Sequence, residues 1–264
     1  MEGWKVGKNP AFQPSIKLLM NHPIQPGIKA VLFDWDMTLG AALGNISSVE
    51  RTAALLRHVG LNYSIEAIES ARTQRQARIE QGQLPGPLAP QTKDGLIVYY
   101  QQLLALLDHP QPSADLGEQV YNAYAHLPFV FYPDTLPTFR ALVAQGVHLG
   151  IITNHSPAIR PVIEAELGVF VVPGAILISG EINLYKPEPA IFRQAAAQLQ
   201  TPIGHCLYVG DNLEVDALGA VGAGYGLGLW CDRSAQPPPK NLPDGVHRIT
   251  DLEQVIPYVV DGRQ

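Results

Sequence analysis

The chain of 264 residues has few cysteines, few charged residues and no long apolar run. Its two cysteines, Cys206 and Cys231, lie beside apolar segments with strand character, which predicts buried free thiols and a cytoplasmic setting. No apolar stretch approaches the roughly 18 residues that a membrane-spanning helix needs, so we expect no membrane partner. The N-terminus also lacks an apolar core followed by small residues, the pattern of a cleaved signal peptide.

Charged residues make up only 16% of the chain, against 46% hydrophobic residues, a balance typical of a compact folded protein. The formal net charge of −6 argues against nucleic acid as a partner, because binding to a phosphate backbone needs a basic surface. A small anionic molecule is compatible with this charge, since one lysine and one metal ion can dominate a local field. The length allows one large core and a second, smaller one.

The most informative segment is AVLFDWDMT at residues 30–38, where four apolar residues precede Asp34 and Asp36. A continuous apolar run predicts a strand buried on both faces of a parallel sheet, and the carboxyl end of such a strand opens a ligand crevice. Side chains two residues apart on an extended backbone share a face, so both carboxylates should point into this crevice. Two like charges this close need a cation or a shared proton, and carboxylate oxygens suit Mg²⁺.

Two patterns follow this segment along the chain. Residues 47–126 carry apolar residues at helical spacing, and two of the predicted helices, 94–107 and 115–126, are expected to begin at acidic N-caps. From residue 133 onward, short apolar runs alternate with helical patterns, which predicts a parallel sheet covered by helices on both faces. We therefore expect an α/β protein with a Rossmann-like, doubly wound parallel sheet and an inserted all-helical domain.

The predicted units are an N-terminal extension at residues 1–28, a core formed by residues 29–44 and 130–264, and a helical insert at residues 45–129. The insert is expected to move as a lid over the sheet edge. In this prediction Gly40 and Gly44 give backbone freedom to one connection, and Pro128 and Pro133 stiffen the other.

Polar residues also follow the later apolar runs. Thr153 and Asn154 end the run at 149–152, Asp211 follows the run at 207–209, Asp216 begins the next helix, and Lys186 precedes two prolines at a helix entry. These groups are expected to meet at one edge of the sheet. A nucleophile, a metal, a cation and hydrogen-bond donors around developing charge are what phosphoryl transfer requires.

At this point the chain resembles the haloacid dehalogenase (HAD) superfamily. The resemblance rests on four segments in order, DWDMT at 34–38, TN at 153–154, KPEP at 186–189 and GD…D at 210–216, and it spans residues 30–230. The insert lies between the first and second motifs, where the family carries its helical type of cap. The resemblance implies a Mg²⁺-dependent phosphatase that acts on a small phosphorylated metabolite through an aspartyl-phosphate, as a monomer or homodimer.

The resemblance also implies a role for each motif residue. Asp34 is the expected nucleophile, and Asp36 the acid that protonates the leaving alcohol and later activates water. Asp34, the backbone carbonyl of Asp36 and Asp211 are the expected ligands of Mg²⁺. The side chains expected to bind the phosphate are Thr153, Asn154 and Lys186. Asp216 is expected to orient Lys186 or a metal-bound water.

Several alternatives stay open at this stage. The same superfamily contains phosphomutases, other phosphotransferases and dehalogenases, and a catalytically silent binding scaffold could keep the same fold. Singly, Thr153 could be a structural hydroxyl, Lys186 a surface lysine and Asp216 a helix cap, while Asn154 could support either a turn or the phosphate. His155 is a candidate for the pocket wall, with no preference either way.

The insert offers weaker signals. Three arginines on one predicted helix are expected to form a solvated face, although an arginine there could reach a substrate anion: Arg72, Arg75 and Arg78. Four tyrosines are expected in the core of the insert and not at the substrate: Tyr99, Tyr100, Tyr121 and Tyr124. Trp35, between the two aspartates, is expected to point away from the pocket into the core.

Overall fold

The computed structural model describes residues 27–44, 46–87, 90, 92–234 and 241–260. The predicted N-terminal extension at residues 1–28 therefore lies outside the described residues, apart from its last two positions. No helix in the described ranges is both long and apolar enough to cross a membrane.

The main sheet has six parallel strands in the order β5-β4-β1-β6-β7-β8. A separate antiparallel pair joins β2 to β3. The strands are β1 (Ala30–Phe33), β2 (Gly40–Ala42), β3 (Phe129–Phe131), β4 (His148–Thr153), β5 (Ile176–Ile178), β6 (Cys206–Gly210), β7 (Leu227–Cys231) and β8 (Val246–Ile249). The predicted Rossmann-like parallel sheet is confirmed.

Ten α-helices occur in the described part of the chain. They are α1 (Ser48–His58), α2 (Ile65–Glu80), α3 (Lys93–Leu106), α4 (Ala114–Ala123), α5 (Thr135–Ala144), α6 (Arg160–Leu167), α7 (Ser179–Ile182), α8 (Pro189–Gln198), α9 (Gly219–Ala223) and α10 (Pro257–Val260). The first four lie between β2 and β3, and the others follow or connect the strands of the main sheet. The prediction of a helical insert followed by alternating strands and helices matches this order.

β1 lies in the middle of the sheet, between β4 and β6. All four of its side chains are fully buried, because helices cover both faces of a parallel sheet, and an uninterrupted apolar run such as AVLF satisfies both faces. Cys206 and Cys231 are buried and unpaired, as predicted. The position of β1 carries the residues that follow it to the centre of the carboxyl edge.

The helices α1 to α4 have a hydrophobic cluster of their own, separate from the cluster around the main sheet. The N-caps are hydroxyl residues in every case: Ser47, Ser64, Thr92 and Ser113. The predicted acidic caps at the start of α3 and α4 were therefore wrong. A short hydroxyl side chain accepts the backbone N–H two or three positions along, while the acids Asp94 and Asp115 occupy the first turn and face the positive end of the helix dipole.

The two connections between sheet and insert pair with each other as the β2–β3 ribbon. Gly40 was predicted to supply freedom, but a Cβ at this position would lie 2.3 Å from the backbone oxygen of Val130. Glycine is needed at position 40 because β3 approaches β2 closely, and the ribbon makes this connection stiffer than predicted. Gly44, with φ of +71°, is the position where a left-handed backbone requires glycine.

The helix that was predicted to begin near Asp216 is divided into two parts. Residues Leu213–Leu218 form a π-helical turn, and α9 follows it. π turns are rare and often lie at functional sites because their extra residue redirects side chains. This turn carries Asp216 toward the carboxyl edge of the sheet.

Candidate active site

The carboxyl ends of three neighbouring strands bring the predicted residues together. Asp34 follows β1, Thr153 ends β4 and Asp211 follows β6, and these strands pair in parallel register. Lys186 lies in the loop before α8, and its Nζ lies 2.7 Å from Oδ1 of Asp34. One edge of the sheet therefore gathers the aspartates, the threonine and the lysine that the sequence pointed to.

Lys186 is buried and has three hydrogen-bond acceptors for its ammonium group. Its Nζ donates to Asp34 Oδ1 at 2.7 Å, to Asp216 Oδ1 at 2.7 Å and to the Tyr208 hydroxyl at 2.9 Å. Burial alone lowers the pKa of Lys186, but the charges of Asp216 and Asp34 outweigh it, and the pKa lies above its ordinary value. The lysine is therefore a fixed positive charge between two carboxylates, and all three of its N–H groups are in use.

Tyr208 is a site residue that the sequence did not suggest. It lies in the middle of β6, fully buried, and its hydroxyl donates to the backbone oxygen of Ile152 at 2.7 Å while it accepts from Lys186. Its position inside an apolar strand made it look like a core residue. The available signal was its hydroxyl, since a buried tyrosine needs a hydrogen-bond partner.

Asp216 occupies the space beneath the glycine that ends β6. A Cβ at Gly210 would lie 2.3 Å from Cγ of Asp216, so only glycine leaves room for this carboxylate. Oδ1 of Asp216 accepts from Lys186, and Oδ2 accepts from the backbone N–H of Asn212 at 3.0 Å. Both oxygens are thus committed to holding Lys186 and the loop that follows β6.

Asn154 connects the second and third motifs. Its side-chain amide donates to the backbone oxygen of Lys186 and its oxygen accepts the Lys186 N–H, both at 2.9 Å. The sequence left two roles open for Asn154, support of a turn or binding of the phosphate, and these two hydrogen bonds match the supporting role. The Asp34 carboxylate has a second neighbour in the Thr38 hydroxyl, which donates to its Oδ2 at 3.3 Å.

Three carboxylates form an acidic cluster at this edge. One oxygen each from Asp34, Asp211 and Asp216 lies within 4.8 Å of the others. Burial, with the nearby acids adding to it and Lys186 opposing it, raises the pKa of Asp34 to about 7. Burial, followed by the charges of Asp34 and Asp216, raises the pKa of Asp211 to about 8. The single ammonium of Lys186 does not balance this cluster.

Asp36 faces the helical insert. Its Oδ2 accepts a short hydrogen bond from the hydroxyl of Tyr124, in the 3₁₀ turn after α4, and its Oδ1 is buried without a partner among the described residues. Burial, followed by the charge of Asp36, raises the pKa of Tyr124 well above its ordinary value. The tyrosine ring also meets the buried ring of His155 edge-on, with centroids 5.1 Å apart. Tyr124 packs against the core of the insert, as expected, and its hydroxyl also reaches the site.

Two other expectations have clear outcomes. Trp35 is fully buried and stacks on Phe129 at 4.1 Å between ring centroids, so it points into the core as predicted. Arg75 was expected on a solvated face but is only 3% exposed. Its Nε donates to Gln102 and an Nη donates to the backbone oxygen of Pro87, which fixes the loop after α2.

The fold and this site place the chain in a known family. A family model described as haloacid dehalogenase-like hydrolase matches residues 28–224. The chain belongs to the haloacid dehalogenase-like hydrolases, which confirms the resemblance read from the four motifs.

Named relatives and solved structures agree with this assignment. Glyceraldehyde 3-phosphate phosphatase of Methanopyrus kandleri is 31% identical over 201 residues, which cover 75% of this chain and 81% of the relative. Ribulose-1,5-bisphosphate 5-phosphatase of Halopiger xanaduensis is 30% identical over 198 residues, covering 74% and 81%. A magnesium-bound HAD-hydrolase of Bacillus subtilis superposes with a TM-score of 0.63 at 18% identity, over 89% of this chain and 99% of that one, which shows a shared fold.

Proposed function

We propose that this hydrolase is a Mg²⁺-dependent phosphatase that removes the phosphate from a small phosphorylated metabolite through an aspartyl-phosphate on Asp34. One observation carries the proposal. The Asp34 carboxylate is buried at the carboxyl end of the central strand and held by Lys186 2.7 Å away, beside two further carboxylates. A carboxylate that is held in place beside an ammonium group, in a cluster of acids able to bind a metal ion, is suited to attack on phosphorus.

The names of the relatives support the same class of reaction. The two that match about three quarters of the chain are named as phosphatases of small phosphorylated sugars. Further relatives that match shorter parts of the chain are named phosphoserine phosphatase and phosphoglycolate phosphatase. These names support hydrolysis of phosphoric monoesters and leave several small substrates open.

The donor set fits Mg²⁺. Hard divalent cations take carboxylate and carbonyl oxygens, and the acidic cluster offers only such atoms. We assign the ligands to Asp34, Asp211 and the backbone carbonyl of Asp36, and to Asp216 the task of holding Lys186 and the loop after β6 through its two hydrogen bonds. The ion, when bound, supplies positive charge that draws electron density from the phosphoryl oxygens and lets the cluster stay ionised.

In the first step, a carboxylate oxygen of Asp34 attacks phosphorus and the bond to the leaving alcohol breaks. Asp36, in its protonated form, gives its proton to the leaving oxygen. The hydroxyl of Thr153 and the N–H groups at this edge hold phosphoryl oxygens, and Lys186 offsets the negative charge gathered around Asp34. The geometry of Asn154 fits a positioning role for the backbone of Lys186.

In the second step, water attacks phosphorus of the aspartyl-phosphate. Asp36, now a carboxylate, accepts a proton from this water, and inorganic phosphate and free Asp34 are released. The insert, residues 45–129, acts in this proposal as a cap, which excludes bulk water during the first step and admits water for the second. The contact of Tyr124 with Asp36 is where the cap meets the reacting groups.

Turnover of p-nitrophenyl phosphate tests the proposal. We expect phosphate release with Mg²⁺, loss of release in excess EDTA, and recovery when Mg²⁺ is added back. Asp34→Asn should lower the rate by about 10⁴-fold or more, because an amide cannot form the acyl phosphate. Asp244→Asn, at an exposed carboxylate of the core, is the matched control and should keep the wild-type rate.

Undiminished turnover in EDTA, or near-normal turnover by Asp34→Asn, contradicts the proposal. The assay also separates the other members of the superfamily. Release of inorganic phosphate into water identifies a phosphatase, whereas transfer to an added alcohol or within the substrate identifies a phosphotransferase or a phosphomutase. Absence of any turnover is the outcome expected of a silent scaffold.

A further inference from the structure

The helical insert has an open cavity of about 190 Å³ next to the active site. Its wall is formed by α1, α2, α3 and the 3₁₀ turn after α4. The residues that matter here are Ser48, Arg51, Arg72, Tyr99, Tyr100 and Tyr124. The volume is below the roughly 300–1,000 Å³ of pockets that hold drug-sized ligands, so the cavity suits a small group.

Two guanidinium groups in this wall have only neutral partners. Nη2 of Arg51 contacts the thioether of Met37 at 3.7 Å, and its Nε is buried without a partner. An Nη of Arg72 donates to the hydroxyl of Ser48 at 2.8 Å. Neither arginine has a carboxylate within 4.0 Å in the part of the chain that the structure describes.

The arginines are therefore underused as hydrogen-bond donors. A thioether is a weak acceptor, and a guanidinium has five N–H groups that match the oxygens of a carboxylate or a phosphate. Glu50, the acid nearest to Arg51 along α1, is turned away, since its carboxylate accepts the backbone N–H of Ser47 at the helix start. A small anion entering the cavity would meet two positive charges and no acidic side chain of the named wall.

The cavity reaches the reacting groups through two contacts. Tyr124 is part of its wall and donates its hydroxyl to Asp36, and Arg51 contacts Met37, the residue after Asp36. In the proposed mechanism Asp36 protonates the leaving oxygen. A leaving alcohol held at Asp36 therefore has Tyr124 and Arg51 beside it on the side of the insert.

We propose that this cavity binds a second anionic group, so that the preferred substrates are phosphate esters of small alcohols that carry a carboxylate or another phosphate. The proposal rests on the phosphatase function above and names the class of substrate for that site. Arg51 and Arg72 are the specificity-determining residues, and the aromatic rings of Tyr99 and Tyr100 form the apolar side of the cavity.

The test compares three esters of similar size in the Mg²⁺-loaded protein: ethyl phosphate, 2-phosphoglycolate and ethylene glycol bisphosphate. We expect kcat/KM for at least one of the two anionic esters to exceed that for ethyl phosphate by about tenfold or more, since hydrogen bonds to charged groups contribute on this scale. Preference for 2-phosphoglycolate identifies a carboxylate as the second anion, and preference for the bisphosphate identifies a phosphate.

Variants locate the effect. Arg51→Gln and Arg72→Gln should each lower the ratio of kcat/KM for the preferred anionic ester to that for ethyl phosphate by about tenfold or more. Arg51→Lys keeps the charge and should retain part of the ratio. Arg57→Gln, at an exposed arginine on the same helix, should leave the ratio unchanged, and thermal melting of each variant confirms that it is folded.

The outcomes separate this inference from the function on which it rests. If the wild type fails to hydrolyse p-nitrophenyl phosphate, the phosphatase function fails and the inference falls with it. If the wild type hydrolyses p-nitrophenyl phosphate but does not favour either anionic ester, the inference alone is overturned. The same holds if both glutamine variants fold and keep the wild-type ratio.

Discussion

The core side of the site and the side that faces the insert differ in how completely the polar groups near the reacting carboxylates are paired. On the core side, the three N–H groups of Lys186, both oxygens of Asp216 and both ends of the Asn154 amide have partners. Where the core meets the insert, three buried atoms of the described residues have none: Asp36 Oδ1, Arg51 Nε and His155 Nε2. The network around Lys186 is complete without a ligand, and the groups that face the insert are not; outside both sets, the buried core atoms Trp35 Nε1 and Thr138 Oγ1 also lack a partner among the described residues.

This difference separates two tasks of the site. Paired, buried charges fix the positions of Asp34 and Lys186 for a reaction that is the same for every phosphate ester. A buried polar group without a hydrogen-bond partner costs free energy unless a ligand binds it. Such groups are therefore suited to contact the part of the substrate that differs from one phosphate ester to another. The difference predicts that breaking a pair on the core side damages stability and rate together, while changes on the insert side act on one of them.

Removal of Lys186 should have the largest effect on stability. Lys186→Met keeps the aliphatic stem but leaves Asp34 and Asp216 buried without their cation. We expect a loss of about 3–5 kcal/mol in the free energy of unfolding of the metal-free protein. Urea unfolding measures it, with Lys29→Met, at an exposed lysine of the core, as the control. A loss below about 1 kcal/mol, the range of exposed ion pairs, would mean that the lysine is not the centre of the paired side.

Gly210→Ala should lower the rate as well as the stability. The new Cβ would fall 2.3 Å from Cγ of Asp216 and displace the carboxylate that holds Lys186. A displacement on the order of 1 Å at a catalytic group can cost about 100-fold, and we expect a fall of this size in kcat/KM for p-nitrophenyl phosphate. Gly222→Ala is the matched control, because nothing lies within 4 Å of its Cβ. Equal rates for the two variants would show that the position of Asp216 is not critical.

The paired side of the site was readable from the sequence because its residues follow strands. Apolar runs predicted the strands, and parallel pairing then requires that Asp34, Thr153 and Asp211 meet at one edge. Asp216 was expected at the same edge, and its contact with Lys186 agrees with that, but the π turn that carries it is not visible in hydrophobic periodicity. Tyr208 was missed because its ring belongs to the apolar pattern of β6, and only its hydroxyl belongs to the site.

The sequence predicted the helices of the insert but not the contacts that their side chains make. Helical spacing predicted α1 to α4, yet it could not tell that Arg75 would be buried against Gln102 and the backbone of Pro87, since that contact depends on how two helices cross. Arg51 was not singled out, and Tyr124 was assigned to the core of the insert. β8 was missed as well, because only the two ends of Val246–Ile249 are apolar and buried.

Mg²⁺ should stabilise the protein more at high pH than at low pH. The folded pKa values of Asp34 and Asp211, about 7 and about 8, lie above the ordinary carboxyl value of 3.8. A raised carboxyl pKa stabilises the fold at low pH, and this contribution is lost as the pH rises from about 4 through 8. In the proposed site Mg²⁺ binds the ionised carboxylates, and it should therefore restore what is lost.

The measurement is the Tm with Mg²⁺ minus the Tm with EDTA, at pH 5.5 and at pH 8.5. We expect a clearly larger gain at pH 8.5 in the wild type and a much smaller dependence on pH in Asp211→Asn. An equal gain at both pH values in the wild type would argue against the acidic cluster as the metal site.

The smallest effect is expected at the far end of the insert, where Ser113 caps α4 by accepting the backbone N–H of Leu116. Ser113→Ala removes this bond and should cost about 1 kcal/mol of the free energy of unfolding. The kcat for p-nitrophenyl phosphate should stay within about twofold, because other hydrogen bonds hold α4 near the site: the Ser156 hydroxyl donates to the Asn122 side-chain oxygen, and the adjoining Tyr124 donates to Asp36. If Ser113→Ala lowered kcat as much as it lowered stability, the insert and the core would be one coupled unit. The distinction between a fully paired core side and an insert side that is left open for a ligand would then be wrong.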